Sequence, residues 1–388
     1  MRSTQQALLF KKLLFIILFS FFLLLGPSVF ANNSNGLDVQ RPTGVTITPE
    51  MFGAIGDGVA NDTVAFELMT NFMAEHNATA VVTGDYLVDS VELFDNSHII
   101  GDGGVLRKIP SNEMKYAIIT LNNNCMVEGL TLIGDRDHNN TTGEWGHCIY
   151  IKGDNCRVKN CTTINPHGDG IYVHGNDAHV DGCVVERAYR NGISVTDSIN
   201  FLIENTSISN VQGTAPEYGI DIEPNNAQDS AVGLIRNVDI VNCCGGLVIH
   251  GNSKQINPFY ITCENTRIIK TNSKNAIRFK NYVYNGDCYT FSNIWIINPA
   301  ADTAELLSLD FLGENNPKIS LSAKIVGETG QKIASIYTKK NICDNFINLS
   351  ILSDNTFSTG NAESMVYIDS LNPNINLHTD YHVVRREN

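Results

Sequence analysis

The sequence repeats a short strand pattern through its central part. Six segments alternate apolar and polar residues and begin at residues 148, 170, 192, 219, 246 and 276: CIYIK, GIYVH, GISVT, GIDIE, GLVIH and AIRFK. A second series recurs between them: VEGLTL, VKNCTT, VDGCVV, IENTSI and IRNVDI. Asn, Gly and Asp, which favour turns, separate the segments. Self-similarity at a period of about 20 to 50 residues indicates a solenoid.

The repeat length selects the kind of solenoid. A unit of about 22 residues holds two or three short strands and tight turns, which fits one coil of a parallel β-helix. A leucine-rich repeat would need fixed leucines and a helical segment in each unit, and neither is present. We predict an all-β fold, a single-stranded right-handed parallel β-helix.

An N-terminal capping helix is also predicted. Asn61-Asp62-Thr63 has the composition of a helix N-cap, and the segment VAFELMTNFMAEH follows it with helical periodicity. The side expected to cover the first coil carries Val64, Leu68, Met69, Phe72 and Met73.

The first residues resemble a signal peptide. Basic residues precede the apolar run Leu13 to Leu25, and Val29-Phe30-Ala31 suits a signal peptidase. The run is short for a membrane span, although an uncleaved anchor is the alternative. We predict an exported protein, secreted or periplasmic, with no stable membrane insertion after cleavage. The divisions are a signal peptide (1–31) and one β-helix domain (32–388), comprising an N-terminal cap and first coils (45–110), regular coils (111–300), and irregular last coils with a C-terminal cap (301–388).

Charge limits the partners. The chain has 41 acidic and 27 basic residues, for a net charge of −14. Nucleic-acid binding needs a basic footprint, so no nucleic-acid partner is predicted. A polysaccharide is compatible with this balance, because even an anionic glycan needs only a local cluster of Lys and Arg. No pattern predicts the oligomeric state.

The ten cysteines do not follow a disulfide pattern. Disulfides are common in exported proteins, but Cys125 and Cys156 precede similar stretches, and Cys161 and Cys183 are equivalent in successive repeats. Cysteine also behaves as a small buried hydrophobe. We expect mostly free, stacked thiols rather than a disulfide framework.

No cofactor or metal is predicted. No Cys/His cluster has zinc spacing. Ca²⁺ is conceivable at Asp135, Asp137 and Asp154, but no ligand loop of defined spacing connects them.

The outward side of the first series carries reactive residue types. Alternate side chains of a strand face opposite sides. The third position of each unit is Tyr150, Tyr172, Ser194, Asp221, Val248 and Arg278. The fifth position is Lys152, His174, Thr196, Glu223, His250 and Lys280. Asp169 and Tyr218 lead into two of these strands. A merely solvated face would be richer in Lys, Glu, Thr and Ser.

We predict a site on this face. The predicted catalytic residues are Tyr218, Asp221, Glu223, His250 and His174. The predicted substrate-binding residues are Lys152, Asp169, Tyr172, Arg278 and Lys280. Glu223 and His250 match in successive coils and should reach each other. Asp221 and Glu223 share one face, which should raise the pKa of one of them. Ordinary solvated side chains are the alternative for each residue.

The longer connections are expected to form walls beside this face. Units lengthen to 27 and 30 residues around Tyr218 to Lys280. The added segments are VQGTAPE (211–217) and NNAQDSA (225–231). Functional loops are often carried on a rigid scaffold in this way.

The N-terminal segment resembles a known signature. MFGAIGDGVANDTVAF, residues 51–66, is similar to the start of the pectate-lyase-like superfamily, in which an FGA-x-GDG turn and Asp-Thr lead into the capping helix. With the repeats, the resemblance covers residues 46–300. It implies a carbohydrate-active protein: a lyase, a polygalacturonase-like hydrolase, a uronate epimerase or a depolymerase.

A second resemblance is to mannuronan C5-epimerases. LTLIGDRDHNNTTGEW, residues 130–145, is similar to the stretch before their active coil, which carries Tyr-Gly-Phe-Asp-Pro-His. By residue type, Tyr218-Gly219-Ile220-Asp221 matches that coil, with Glu223 in place of the histidine. By position, the segment 169–174 matches and keeps the glycine and His174.

Three functions stay open. One is a lyase or C5-epimerase acting on a uronate-containing glycan, in which a base removes the proton next to the carboxylate. Another is a glycoside hydrolase that uses the Asp221/Glu223 pair, although the polygalacturonase triplets Asn-Thr-Asp and Arg-Ile-Lys are absent. The third is a non-catalytic glycan-binding or envelope β-helix protein.

Overall fold

The computed structural model describes residues 45–112, 115–251, 257, 259–281, 288–298, 305–311, 318–326, 333–338, 346–353, 365–369 and 375–386. These residues all lie in one compact unit, residues 44–388. The predicted signal peptide lies outside the described residues. Within them, no helix has the length and apolar character needed to cross a membrane.

Every coil contributes strands to parallel ladders on its sides. One ladder, here called the site sheet, has 12 strands. They are Val91–Leu93, Lys115–Leu121, Trp145–Ile151, Ile171–Val173, Ile193–Val195, Tyr218–Ile222, Gly245–His250, Ile277–Asn281, Leu307–Phe311, Ala334–Thr338, Met365–Asp369 and His382–Arg386. Neighbouring strands in this order are paired in parallel.

Two flanking ladders complete each coil. The first contains Thr46–Ile47, Thr79–Val82, His98–Gly101, Met126–Glu128, Arg157–Lys159, His179–Asp181, Ser198–Glu204, Ala231–Arg236 and Tyr260–Glu264. The second contains Asp57–Asn61, Asp85–Val88, Val105–Lys108, Thr131–Ile133, Thr162–Ile164, Val184–Glu186, Ser207–Ser209, Asp239–Val241 and Arg267–Ile269. Both ladders join the long strand Cys288–Ile297. Lys318–Val326, Phe346–Ser353 and Ile375–Thr379 continue from it. Parallel pairing therefore extends beyond residue 300, where the repeat in the sequence fades.

The core is a set of stacked aliphatic side chains inside the coils. Residues in register on the site sheet are Ile149, Ile171, Ile193, Ile220, Leu247 and Ile277, and all are buried. Because parallel neighbours repeat every ~4.8 Å, each side chain packs on its copy in the next coil.

The capping helix spans Thr63–His76 and follows a short 3₁₀ turn, Pro49–Phe52. It buries Phe66, Met69 and Met73, which lie at helical spacing on one stripe. The prediction that Val64 and Leu68 belong to this stripe was wrong, since they are 65% and 52% exposed. Val64 and Leu68 lie two residues before and after Phe66, which places them on the side of the helix opposite Phe66 and its buried neighbours.

The start of the helix differs from the predicted cap. The Asp62 side chain does not cap the helix. Its carboxylate accepts hydrogen bonds from the backbone N–H groups of Ile55 (2.7 Å) and Gly56 (3.2 Å), in the FGA-x-GDG turn. Asn61 Oδ1 instead accepts from the N–H of Thr63 at 3.0 Å. Asp62 thus ties the glycine-rich turn to the helix start.

The nine described cysteines are free, and eight of them are buried. This confirms the prediction of free thiols for these positions. The tenth, Cys343, lies outside the described residues.

Candidate functional site

The strand Tyr218–Ile222 carries the centre of the predicted face. Ser194, Asp221 and Val248 occupy one register position in three successive strands. Asp221 is only 1% exposed, so it is not a solvated surface charge. Asn191 Nδ2 donates a hydrogen bond to Asp221 Oδ2 at 3.0 Å and contacts Ser194 Oγ at 3.1 Å. The carboxyl group of Asp221 is therefore embedded in neighbouring polar side chains.

Glu223 and His250 meet as predicted from their matching positions. His250 Nδ1 lies 3.0 Å from Glu223 Oε1. The side chains are 31% and 29% exposed, so this pair is accessible to solvent. A carboxylate oxygen accepts the hydrogen bond, which places the proton on Nδ1. No described residue pairs with Nε2 of His250, which leaves its lone pair available.

Arg190 links Glu223 to a second acid. Its Nη1 lies 3.1 Å from Asp169 Oδ2, and its Nη2 lies 3.5 Å from Glu223 Oε2. Burial works against the charge of Arg190, but the negative charges of Asp169, Asp221 and Glu223 outweigh it and raise its pKa. Arg190 is therefore a fixed cation between two coils.

Asp221 and Glu223 differ in protonation. Burial raises the pKa of Asp221 well above its ordinary value, and the charge of Glu223 adds to this. Burial also acts to raise the pKa of Glu223, but the hydrogen bond and charge of His250 and the charge of Arg190 lower it overall. Asp221 is thus the neutral acid and Glu223 the carboxylate. The Oδ1 of Asp221 has no hydrogen-bond partner among the described residues.

Asp169 is fully buried, and its hydrogen bonds connect it to Asn191 and His147. It accepts a hydrogen bond from the N–H of Asn191 at 2.9 Å. Its own N–H donates to His147 Nδ1 at 3.2 Å. Because this nitrogen accepts, the 3.6 Å approach of His147 Nδ1 to Asp169 Oδ2 is not a charge-assisted hydrogen bond. The partner of the Asp169 charge is Arg190.

Tyr218 is the first residue of the strand that carries Asp221, and it is buried. Its hydroxyl is buried and has no hydrogen bond of good geometry among the described residues. Burial raises the pKa of Tyr218 to about 12, although the positive charge of neighbouring Arg278 acts to lower it. The ring requires Gly245 in the next strand, because a Cβ at that position would clash with it.

The other predicted residues lie in or next to further strands of the site sheet. Tyr172 stacks on His147 with ring centroids 4.5 Å apart, and it bonds to Asn225 Nδ2 at 3.1 Å through its hydroxyl. His174 lies 3.3 Å from Thr196 Oγ1. Lys152 is exposed beside Glu92 at the far end. Lys280 is the register partner of His250 in the next coil. Lys152 and His174 are therefore not brought to the centre.

Sequence reasoning missed Arg190. It lies in the turn Tyr189-Arg190-Asn191, outside the strand positions that the repeat identifies. The sequence did contain a usable signal. Arg190 directly precedes Asn191, the residue before the strand segment of its coil, and acidic residues occur in the coil before (Asp169) and in the coil after (Glu223). The repeat predicts which strand residues are aligned in successive coils. It does not predict the direction in which the side chain of a turn residue points.

The strand face holds no metal-type cluster among the described residues. The group whose ligand atoms lie within 4.8 Å of one another is His179, Asp181 and Glu204, on the first flanking ladder. Glu204 already pairs with Arg236 Nη2 at 2.6 Å. The calcium candidates are separated. Asp135 accepts from Tyr116, Asp137 pairs with Arg187, and Asp154 accepts from the Asn176 N–H.

The comparisons with known proteins concern the fold. No protein-family model and no curated protein matches the sequence. The N-terminal fragment of bacteriophage phi29 gene product 12 matches with a TM-score of 0.63 at 15% identity, covering 84% of this chain and 60% of that chain. The Agl-KA catalytic domain matches with a TM-score of 0.54 at 12% identity, covering 89% and 69%. A polygalacturonase from Erwinia carotovora ssp. carotovora matches with a TM-score of 0.50 at 13% identity, covering 89% and 98%.

At these identities the likeness is one of fold. It confirms the predicted right-handed parallel β-helix fold. The chain spans 56% of the length of the pre-mature phi29 gene product 12 that it matches.

Proposed function

We propose that this protein is an exported enzyme that acts on a uronate-containing polysaccharide, as a lyase or C5-epimerase. The observation that carries the proposal is the solvent-accessible pair of His250 and Glu223, in which Glu223 also pairs with Arg190. In this reaction class a base removes the proton next to the uronate carboxylate. The polysaccharide class also has support from the fold-level likeness to a polygalacturonase, which by itself is only an analogy.

His250 is the proposed base. Glu223 accepts the Nδ1–H of the imidazole and so fixes the tautomer with a lone pair on Nε2. When Nε2 takes the proton, the adjacent Glu223 carboxylate stabilises the imidazolium. A positioned base of this kind contributes about 10²- to 10⁴-fold in rate.

The cations beside His250 have a complementary role. Removing the proton places negative charge on the substrate carboxylate and its neighbouring carbon. Arg278 and Lys280 lie in the next strand, and Lys280 is aligned with His250. Preorganised positive charge of this kind stabilises developing negative charge. We assign Arg278 and Lys280 to the substrate carboxylate.

Two buried acids then take supporting roles. Asp169 and Asp221 are almost inaccessible, so neither reaches a polymer on the surface. Asp169 pairs with Arg190, and Asp221 is kept neutral by burial and by the negative charge of Glu223. Both are positioning residues in this proposal.

A glycoside hydrolase is the second candidate. The divided protonation of Asp221 and Glu223 favours it, because paired carboxyl groups with separated pKa values serve as acid and base in such enzymes. Against it, Asp221 is only 1% exposed, and a general acid of a glycosidase has to reach the glycosidic oxygen of the polymer.

A product assay separates the candidates. The chain from residue 32 is incubated with a panel of uronate-containing and neutral polysaccharides, with Glu223→Gln in parallel. A lyase forms ultraviolet-absorbing unsaturated ends, and a hydrolase forms new reducing ends without absorbance. An epimerase inverts C5 without cleavage. Unsaturated or inverted product that Glu223→Gln abolishes supports the proposal. Reducing ends alone favour the hydrolase, and binding without turnover favours a non-catalytic role.

A further inference from the structure

One edge of the site sheet is closed by loops that meet on a single aromatic side chain. These loops are residues 134–144 and 211–217, here called the lead-in wall. Between them lies Tyr189, next to Arg190 in the chain. The Tyr189 ring is stacked on the His167 imidazole, with centroids 5.3 Å apart and planes 9° apart. The Arg136 guanidinium carbon lies 5.3 Å from the ring centroid.

Glycines allow both loops to reach the ring. A Cβ on Gly143 would clash with Cδ1 of Tyr189, and a Cβ on Gly213 would clash with Cδ2. These two carbons are on opposite edges of the ring. Both glycines also have φ in the region that other residues rarely adopt, +71° and +148°. The two loops therefore close on Tyr189 from opposite sides.

Backbone hydrogen bonds connect Tyr189 to Pro166 and to the 211–217 loop. The N–H of Tyr189 donates to Pro166 O at 3.1 Å, and the N–H of Thr214 donates to Tyr189 O at 2.7 Å. Arg136 Nη1 donates to Arg187 O at 2.6 Å. The 211–217 loop is held in turn by Lys274, which donates to Pro216 O at 2.7 Å.

We infer that Tyr189 is a positioning residue that fixes the lead-in wall and, through the chain, the guanidinium of Arg190. This inference rests on the proposed function, since Arg190 acts there by keeping Glu223 ionised. Arg190 has one backbone anchor of its own, its N–H to Gly168 O at 3.1 Å. Its reach of 3.5 Å to Glu223 leaves little tolerance for a shift of the turn.

The test compares Tyr189→Ala with Tyr189→Phe. The phenylalanine variant keeps the ring, and no hydrogen bond joins the Tyr189 hydroxyl to a described residue. Trp295→Ala is the matched control, because Lys324 lies 4.8 Å from that ring on a different ladder. Hydrogen exchange of both loops, the pKa of Glu223 by carbon NMR, and kcat/KM against pH are measured for each variant.

Tyr189→Ala should speed exchange in both loops and raise the pKa of Glu223, since the charge of Arg190 lowers it in the intact protein. The acid limb of the pH profile should move up with it, and kcat/KM should fall by about 10²-fold, as expected for a displaced site group. Tyr189→Phe and Trp295→Ala should leave the pKa of Glu223 unchanged.

An unchanged Glu223 pKa in Tyr189→Ala overturns the positioning role, even if the loops exchange faster. Failure of the proposed function has a different pattern: the intact protein turns over no polysaccharide, while the exchange and the pKa still respond to Tyr189→Ala. The NMR and exchange measurements therefore test this inference without any substrate.

Discussion

At the scale of single residues, Asp221 and Glu223 show how surroundings separate two similar groups. Asp221 lies in the strand Tyr218–Ile222 and Glu223 directly follows that strand. Even so, Asp221 is buried, whereas the Glu223 side chain is 29% exposed beside His250 and Arg190. Burial favours the neutral form of Asp221, and two partners favour the charged form of Glu223. The two groups also affect each other, because the negative charge of Glu223 adds to the raised pKa of Asp221.

This arrangement predicts a pH-dependent stability for Asp221. Because its pKa is raised in the folded protein, its contribution is complete below the unfolded pKa, about 3.9, and is lost as pH rises towards the folded value. Asp221→Asn keeps the neutral form at every pH. Relative to the wild type, the variant should gain free energy of unfolding as pH rises, by at most about 1.4 kcal/mol per pH unit.

The measurement is chemical denaturation of both proteins from pH 5 upwards. Asp57→Asn is the control. The N–H groups of Ala60 and Val59 lower the pKa of the Asp57 carboxyl, so it is ionised in both states above pH 5 and should show no such trend. A constant difference between Asp221→Asn and the wild type at all pH values would contradict a raised pKa. The same variant also informs the mechanism: it should keep turnover if His250 is the base, and lose it if Asp221 is the acid of a hydrolase.

At the scale of elements, the corners of the coils depend on asparagine. One ladder comprises Asn205, Asn237, Asn265 and Asn293, with φ of 51°, 54°, 49° and 53°. Each side-chain amide donates to the oxygen of the preceding one, at 3.1, 3.4 and 2.7 Å. Asparagine tolerates this left-handed backbone and also bonds along the stack, which explains the Asn-rich turns of the sequence.

Substitutions at Asn237 should separate these two contributions. Asn237→Gly and Asn237→Ala both remove the amide bonds, but only alanine is strained at this φ, by about 1–2 kcal/mol. The free energy of unfolding should therefore fall in the order wild type, glycine, alanine. Denaturant titration of the three proteins measures it. Equal stability of the glycine and alanine variants would show that backbone strain is not significant at this corner.

At the scale of the whole molecule, a solenoid is stabilised mainly by contacts between neighbouring coils, so its ends need covering. The capping helix serves the N-terminal end, and Asp62 joins it to the turn at Ile55 and Gly56. Disruption of this joint should remain local, because the strand Tyr218–Ile222 lies five strands further along the site sheet than Val91–Leu93, the strand next to the cap.

Asp62→Ala should destabilise the cap by about 1–3 kcal/mol, since two backbone N–H groups lose their acceptor. Hydrogen exchange should become faster in the helix Thr63–His76 and the strand Thr79–Val82, and stay unchanged in Tyr218–Ile222. Asn61→Ala, which removes one exposed bond to Thr63, should have a smaller effect. Faster exchange throughout the chain would contradict the local account.

The repeat allowed most of the fold to be predicted, because its period determines which side chains stack in adjacent coils. The Glu223–His250 contact followed from the same register. Two features of the site could not be predicted from the repeat. Arg190 reaches from a turn to acids in two other coils, and Asp221 is covered by side chains such as Asn191, which hydrogen-bonds to it. The conformation of a turn, and the side chains that the turn places over neighbouring residues, depend on contacts between loops. The periodicity of the strands carries no information about those contacts.

The most direct test of the central claim is proton exchange at C5 of a uronate polysaccharide in D₂O, for the wild type and His250→Ala. His179→Ala is the matched control, since His179 forms a similar pair with Glu204 at 2.9 Å on a flanking ladder. We expect product formation with deuterium at C5, or with an unsaturated ring where cleavage follows, and at least about a 10²-fold loss in His250→Ala alone. Wild-type turnover by His250→Ala would contradict the account.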